Sequence, residues 1–416
     1  MIKSHESLPA NWDWVKVGDL LKFEYGKALT KGNREVGGEF PVYGSNGIVG
    51  YHSKSFVDEP CLIIGRKGAA GAVHITKTPC WPIDTTYYVI PPENLNLAFL
   101  YYLLSALNLS KLDRSTAIPG LNREDAYSLE IPVPPYPEQE RIVARIEELF
   151  SQLDAGTAAL KRAKAQLKRY KASVLKAAVE GKLVPQDPND EPLFLVLQKA
   201  GIKPVNDAVM PVLPSGWCYS NFKDLVDGSQ NGFGKRNSEN GVPTIVLRLA
   251  DIASGNISLE SVRRIKVTST EISPFLLQEN DLLVIRVNGS LNNVGRFIKV
   301  YYHHEPIAFC DHFIRYRLKY SEMAAFIQIT FNSEGARKYI EENRVSSAGQ
   351  NTISQASLGR YLIALPPIDE QRRILEEFNR KMSIVHEIEG ALSTEYERSQ
   401  NLKRSILKKA FEGKLI

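Results

Sequence analysis

Between residues 137 and 184, apolar or small residues recur at Ile142, Ile146, Leu149, Leu153, Gly156, Leu160, Ala163, Leu167, Tyr170, Val174 and Ala177, in steps that alternate four and three. That alternation is the a/d seam of a heptad repeat, sustained long enough to predict a coiled coil rather than an ordinary surface helix. At about 1.5 Å of rise per residue the helix spans roughly 70 Å. A stripe of that length needs a partner, and the chain supplies one. Residues 369–416 repeat the stretch without a gap at an offset of 232. Glu138-Gln139 matches Glu370-Gln371, and Glu180-Gly181-Lys182-Leu183 matches Glu412-Gly413-Lys414-Leu415. The seam carries over to Ile374, Phe378, Val385, Ile388, Leu392, Leu402 and Ile406. It is interrupted by Lys381, Glu395, Ser399 and Lys409.

Charge suggests how the two helices run. Residues 138–160 carry a net charge of −3 and 161–182 a net charge of +7; residues 370–397 carry −3 and 398–416 carry +5. An antiparallel pair sets each acidic half on a basic half, whereas a parallel pair sets like on like. Flanking charges select orientation in coiled coils, so the pattern predicts antiparallel, intramolecular pairing.

Away from the helices the pattern changes to short apolar runs between turn residues. Phe40-Pro41-Val42-Tyr43, Ile48-Val49-Gly50-Tyr51, Cys61-Leu62-Ile63-Ile64 and Tyr87-Tyr88-Val89-Ile90 read as strands of a twisted sheet with Gly/Asn/Ser loops, and Leu97 to Leu109 as a helix. The same pattern returns after residue 213, in Thr244-Ile245-Val246-Leu247 and Leu282-Leu283-Val284-Ile285. Leu8-Pro9-Ala10-Asn11-Trp12 is echoed by Leu213-Pro214-Ser215-Gly216-Trp217, at an offset of 205, so the second copy is about 27 residues longer. Arg66 with Gly68 pairs with Arg286 and Gly289, and Asp84 pairs with Asp311. The expected fold class is α+β: two tandem α/β globules joined by two long antiparallel coiled-coil helices, a pseudo-two-fold internal repeat. The expected segments are a first globule at 1–136, a central helix at 137–184, a linker with one short helix at 185–212, a second globule at 213–368 and a C-terminal helix at 369–416.

Composition narrows the function. At 416 residues the chain exceeds one compact core. No apolar run approaches a membrane span, and the start, MIKSHESLPANW, has no apolar signal region. A cytoplasmic protein is expected, with four scattered, reduced cysteines. A net charge of +5 permits nucleic-acid binding without requiring it.

No catalytic constellation stands out. Val133-Pro134-Pro135-Tyr136 approaches the N-P-P-Y type of site in amino-methyltransferases but lacks its Asn or Asp. Both it and Leu365-Pro366-Pro367-Ile368 read as helix entries. Gly232-Phe233-Gly234-Lys235-Arg236 fails the P-loop spacing. His303-His304, Cys310 and His312 form the one metal-like cluster, a polar loop and strand edge on the simpler reading. The chain is expected to hold no cofactor and to be no enzyme. Binding remains. The loops combine basic, amide, hydroxyl and aromatic side chains able to contact phosphates and base edges. The candidates in the first copy are Tyr43, Ser45, Asn46, Arg66, Lys67, Asp84, Thr85, Asn122 and Arg123. In the second they are Arg248, Arg286, Asn288, Ser290, Asn292, Asn293, Arg296, His312, Gln350 and Asn351.

By its duplicated motifs the chain resembles the specificity subunit of type I restriction-modification systems. The resemblance rests on the L-P-x-x-W starts, the P-P-x-x-E-Q entries at Pro134 and Pro366, the paired E-G-K-L ends and Leu183-Val184-Pro185-Gln186-Asp187-Pro188. It implies that each globule is a target recognition domain reading one half of a bipartite, asymmetric double-stranded DNA target. The helices would set the unread spacer. The chain would dock two methyltransferase subunits, which bring S-adenosylmethionine, and through them two restriction subunits that use ATP and Mg. It would itself supply sequence choice without catalysis. The alternatives are a coiled-coil adaptor without DNA specificity and a stand-alone methyltransferase or nuclease.

Overall fold

Each heptad stretch folds as one uninterrupted helix, Tyr136–Val179 and Ile368–Phe411, 44 residues apiece. The computed structural model describes residues 8–35, 37–112, 119–205, 210–236, 240–253 and 255–416. Of the residues expected to form the 185–212 linker, 206–209 lie outside the described set, as does the start of the N-terminal stretch read above.

The ends of the helices explain the duplicated motifs. At the entries, the Gln139 side chain donates to the Pro134 carbonyl at 2.9 Å, and Gln371 donates to Pro366 at 2.9 Å. Both glutamines are buried. At the exits, Gly181 and Gly413 both stand at φ +68°. The Lys182 amide donates to the Ala177 carbonyl and the Lys414 amide to the Lys409 carbonyl, each at 2.8 Å. This six-to-one closure is the Schellman cap, and its left-handed residue favours glycine. It ends the helices at 179 and 411, short of the expected 184 and 416.

Contacts divide the chain into two compact units, one running up to Ala163 and adding Ala391–Ile416, the other spanning Lys164–Gly390. The borders fall inside the long helices, so each unit owns one half of each helix. In the first unit, Ile142 and Ile146 share a core with Ile406, Ala410 and Phe411. Further along, the Thr157 and Ser399 hydroxyls are 3.1 Å apart, and Lys403 lies over the Phe150 ring and pairs with Asp154. In the second unit, Ala178 shares a core with Ile374, and Lys171 faces Glu389 at 4.0 Å. Advancing along one segment means retreating along the other, so within each unit the segments run antiparallel.

The seam departs from a strict heptad. Ile374, Val385, Ile406 and Val174 are buried, and Leu149, Leu153, Leu160, Leu167, Phe378 and Leu392 are half-buried. Tyr170, Ile388 and Leu402, expected in the seam, are instead 45%, 43% and 47% exposed. After Val385 the inward face advances by four residues rather than three, to Glu389 and later to Lys403. In the first helix the same step places Thr157 inward and Gly156 outward. The two steps of a heptad are exchanged locally, four before three, and the seam returns to Leu160, Leu392, Ser399 and Ile406, so the seven-residue repeat itself is kept. The inward positions gained are polar and pair across the seam.

The two globular parts share a topology. In the first unit a four-stranded sheet runs in the order Glu24–Tyr25, Thr86–Val89, Cys61–Gly65, Val73–Thr76. A three-stranded sheet runs Gly47–His52, Phe40–Gly44, Trp81–Pro82, the last pair parallel. The second unit repeats both: Val226–Asn231, Phe313–Leu318, Leu282–Ile285, Phe297–Lys299, and then Arg264–Val267, Val242–Leu247, Ile307–Phe309, the last pair again parallel. Instead of one twisted sheet, each copy builds these two and a two-stranded pair, Asp13–Lys16 with Glu130–Val133 and Cys218–Asn221 with Leu362–Leu365. The second unit adds the pair Ile252–Ala253 with Asn256–Ile257 and a three-stranded sheet of Val287–Asn288, Gln350–Thr352 and Val345–Ser347. The expected helix at Leu97 covers Leu97–Leu107, capped by the Asn96 side chain. All four cysteines are free and buried. Among the described residues no helix is long and apolar enough to cross a membrane.

Gly413→Ala should destabilise the protein by about 1–3 kcal/mol, since a left-handed alanine is strained and its Cβ would collide with Pro9. Gly156→Ala, exposed in mid-helix with open space around it, should stabilise by about 0.5–1 kcal/mol. Thermal and chemical denaturation of the two variants beside the parent decides both signs.

Candidate nucleic-acid interface

One cluster of loops recurs in both units, and backbone hydrogen bonds define it. After the strand Cys61–Gly65, the Arg66 amide donates to the Thr85 carbonyl at 2.9 Å, and after Leu282–Ile285 the Arg286 amide donates to His312 at 2.7 Å. The Leu121 amide returns to the Arg66 carbonyl at 2.9 Å, and Ile353 returns to Arg286 at 3.0 Å. Gly71 and Gly295 close the two loops, bonding the Gly65 and Ile285 carbonyls from φ +77° and +69°. Each cluster then leads into a short helix, Arg123–Tyr127 capped by Asn122 and Gln355–Gly359 capped by Ser354. Arg66 and Arg286 therefore occupy equivalent places, as do Asp84 and Asp311. The equivalent glycines are Gly71 and Gly295 rather than Gly68 and Gly289.

In the first unit the cluster gathers most of the candidates. Arg66 donates through Nε and Nη2 to the Asp84 carbonyl at 3.1 and 2.6 Å, which aims the guanidinium while leaving other N–H groups of its five. Asp84 and Lys67 are exposed, and Thr85 is half-buried. Ser45 sits beside this loop, its hydroxyl 3.5 Å from where a Cβ on Gly68 would lie, with Asn46 exposed at the hairpin tip next to it. Asn122 accepts from the Glu124 amide at 2.8 Å, so its oxygen is committed to capping. Arg123 follows it and stacks on Tyr25 at 5.6 Å, while Arg66 stacks on the same ring at 5.4 Å. Burial, with Tyr25 beside it, pushes the Tyr87 hydroxyl up to about 12. Tyr43 is the exception: it is buried with Cys61, Ile63 and Cys80, so it belongs to a small core and not to a contact surface.

In the second unit Arg286, Asn288, Ser290, Asn292, Asn293 and Arg296 line the longer loop, and Gln350 is exposed on the adjoining hairpin. Asn288 accepts from the Ser290 amide at 2.8 Å, shaping the turn. His312 contacts Asp311 at 3.2 Å, and Asp311 also accepts from Arg236 at 3.1 Å. Cys310, Asp311 and His312 bring possible ligand atoms within 4.8 Å of one another, but the guanidinium already occupies the carboxylate. His303 and His304 are not in that group. One candidate is internal, and a second is partly exposed but tethered. Asn351 is buried, accepting from Arg344 Nε at 2.9 Å and donating to the Gly289 carbonyl at 3.1 Å. Arg248 is held by Asp251 at 2.8 Å and by the Ser261 carbonyl at 2.8 Å. Asn351 shapes the loop rather than facing a ligand, while Arg248 is braced within its own turn.

Tyr25, Asn231 and Gln355 belong to the clusters but carry no signal in their local sequence. Their marker is the glycine that follows the first strand. A Cβ on Gly26 would collide with the Ile83 carbonyl, and one on Gly232 would collide with the Cys310 carbonyl. Gly26 and Gly232 are thus equivalent, and so are Tyr25 and Asn231.

Comparison with known proteins gives the following. Residues 9–169 match the family described as type I restriction modification DNA specificity domain. The chain is 33% identical over 308 residues to the type I restriction enzyme StySPI specificity subunit of Salmonella potsdam, which covers 74% of this chain but 62% of that relative's length. It is 29% identical over 334 residues to the EcoKI specificity subunit of Escherichia coli K12, covering 79% of this chain and 68% of the relative. In fold it is similar to a solved chain of a type I R-M system, with a TM-score of 0.63 at 18% identity, over 98% of this chain and 99% of that one.

Asn351→Ala should destabilise by about 1–3 kcal/mol, because it leaves the Arg344 and Gly289 groups without their partner. Gln350→Ala, exposed beside it, should leave the melting temperature within error. A calorimetric scan of the two variants would reject the reassignment of Asn351 if they behaved alike.

Proposed function

We propose, from the premise that this chain carries a type I restriction-modification DNA specificity domain and is kin to type I specificity subunits, that it chooses the DNA target of such a system. Each loop cluster reads one half of a bipartite, asymmetric site. The observation that carries the reading is the repetition of one loop scaffold around Arg66 and Arg286 with different side chains on it. Equivalent scaffolds approach duplex DNA equivalently, and different side chains ask for different bases.

In this reading the globular parts, about 1–136 and 213–368, are target recognition domains. The helices pair as an intramolecular coiled coil and set the unread spacer. The chain provides no chemistry. Two methyltransferase subunits dock on it with S-adenosylmethionine, and two restriction subunits bring ATP with Mg. Exposed Lys67 and half-buried Arg296 supply phosphate contacts, so DNA affinity falls steeply with salt. A salt-insensitive complex favours the adaptor reading instead.

The deciding experiment expresses the chain with its methyltransferase subunit in a methylation-free host and maps modified bases across the genome. A split motif with a constant gap, lost when the chain is omitted, supports the reading; no modification from a soluble complex rejects it. Arg66→Ala should lower methylation about tenfold or more through one half-site, and Arg286→Ala through the other. Seven residues inserted after Ala158, with a matching insertion in the second helix, should lengthen the gap and leave both half-sites unchanged.

A further inference from the structure

The two loop clusters share a contact that their sequences hide. In the first unit, Tyr25 ends the first strand of the four-stranded sheet, and Arg123 opens the short helix after the Asn122 cap. The Arg123 guanidinium lies over the Tyr25 ring at 5.6 Å, and Tyr25 is 52% exposed. In the second unit the equivalent strand ends at Asn231, and the equivalent helix opens at Gln355 after the Ser354 cap. Here too the two positions touch: Gln355 Nε2 donates to Asn231 Oδ1 at 3.0 Å, and Ser229 donates to Gln355 Oε1 at 2.7 Å.

The same two backbone positions are thus coupled in both units, by different chemistry. Each pair adjoins the equivalent arginine: Arg66 also stacks on Tyr25, and Ile353, two residues before Gln355, bonds the Arg286 carbonyl. The scaffold around each pair is held by backbone bonds and by a glycine without room for a Cβ, so the side chains can change without moving it. An arginine presents a planar fork of donors suited to the two acceptors of guanine, whereas paired amides offer the donor and acceptor that adenine needs.

We infer that this strand-end and helix-start pair determines half-site identity: Tyr25 with Arg123 selects a guanine in one half-site, and Asn231 with Gln355 selects an adenine in the other. Tyr25 acts as a positioning residue, its ring contacted by both the Arg66 and the Arg123 guanidinium groups. Arg123 and the two amides make the base contacts. The inference rests on the DNA-specificity reading above.

The test exchanges the pairs. Tyr25→Asn with Arg123→Gln, and separately Asn231→Tyr with Gln355→Arg, are assembled with the methyltransferase subunit. Binding preference is then read on duplex libraries randomised at one half-site at a time, using the parent motif as reference. Each exchange should cut preference for the parent base about tenfold or more in its own half-site. The other half-site and the gap should stay as they were. Retention of the parent motif by both exchanged complexes overturns the inference, and so does equal loss at both half-sites. Should an exchange fail to assemble, Arg123→Lys keeps the charge without the fork. It should show the same one-sided loss with an unchanged melting temperature, and parent preference in that variant overturns the role of Arg123. Tyr25→Phe should keep the parent motif, because the ring remains. If the unmodified complex shows no split motif at all, the specificity reading itself has failed, and that result is distinct from a motif that survives the exchange.

Discussion

Two glycines hold the architecture together. Gly181 and Gly413 turn the chain out of its long helices at φ +68°, and their missing side chains leave space that the next motif fills. Pro214 and the Trp217 ring close on Gly181; Pro9 closes on Gly413. Around each joint the other motifs assemble. The Trp217 indole donates to Glu370 at 3.0 Å, and Asn11 donates to Glu138 at 2.8 Å. Within each unit, then, the end of one helix, the start of the other and the first residues of a globular part meet at one point. The motifs recur because the joint recurs. The copies differ in detail: Glu370 is buried, and burial pushes its carboxyl up, while the Trp12 indole has no partner among the described residues.

The helix seam follows a different logic. Its ends are apolar and merge with the globular cores, as where Phe411 meets Phe99 at 5.6 Å. Its middle is polar, with Thr157 on Ser399, Asp154 on Lys403 and Lys171 on Glu389. Exposed ion pairs add little stability. They do discriminate against the parallel arrangement and against slipped registers, where like charges would meet. Stability sits at the joints and register along the middle.

Much of this was legible in the sequence, and the limits have physical causes. The long helices, their antiparallel segments and the equivalence of Arg66 and Arg286 follow from periodicity, charge and repetition, all of which a linear pattern records. Ile388 and Leu402 lie outside the seam because polar Glu389 and Lys403, one residue further on, turn inward in their place and pair across it, which apolar periodicity does not record. Tyr43 and Asn351 carry polar groups on strands beside loops but are buried, because which side chain of a strand turns inward is decided by what packs on it. Tyr25, Asn231 and Gln355 leave no mark in the sequence because the two copies carry different side chains there, and only the matched backbone bonds align them.

That division of labour has a consequence for how such a chain changes. Contacts that set the strand-end and helix-start positions of each loop cluster include main-chain bonds and glycines that tolerate no side chain: Arg66 to Thr85, Arg286 to His312, Gly26 on Ile83, Gly232 on Cys310. None of these depends on what Tyr25, Arg123, Asn231 or Gln355 carry beyond Cβ. Substitution at those positions therefore alters chemistry at the surface while leaving the scaffold's own hydrogen bonds in place. Two copies that began alike can diverge in what they contact without losing the fold that presents it. The internal asymmetry of the chain, aromatic and cationic in one cluster and amide in the other, is what that freedom leaves behind.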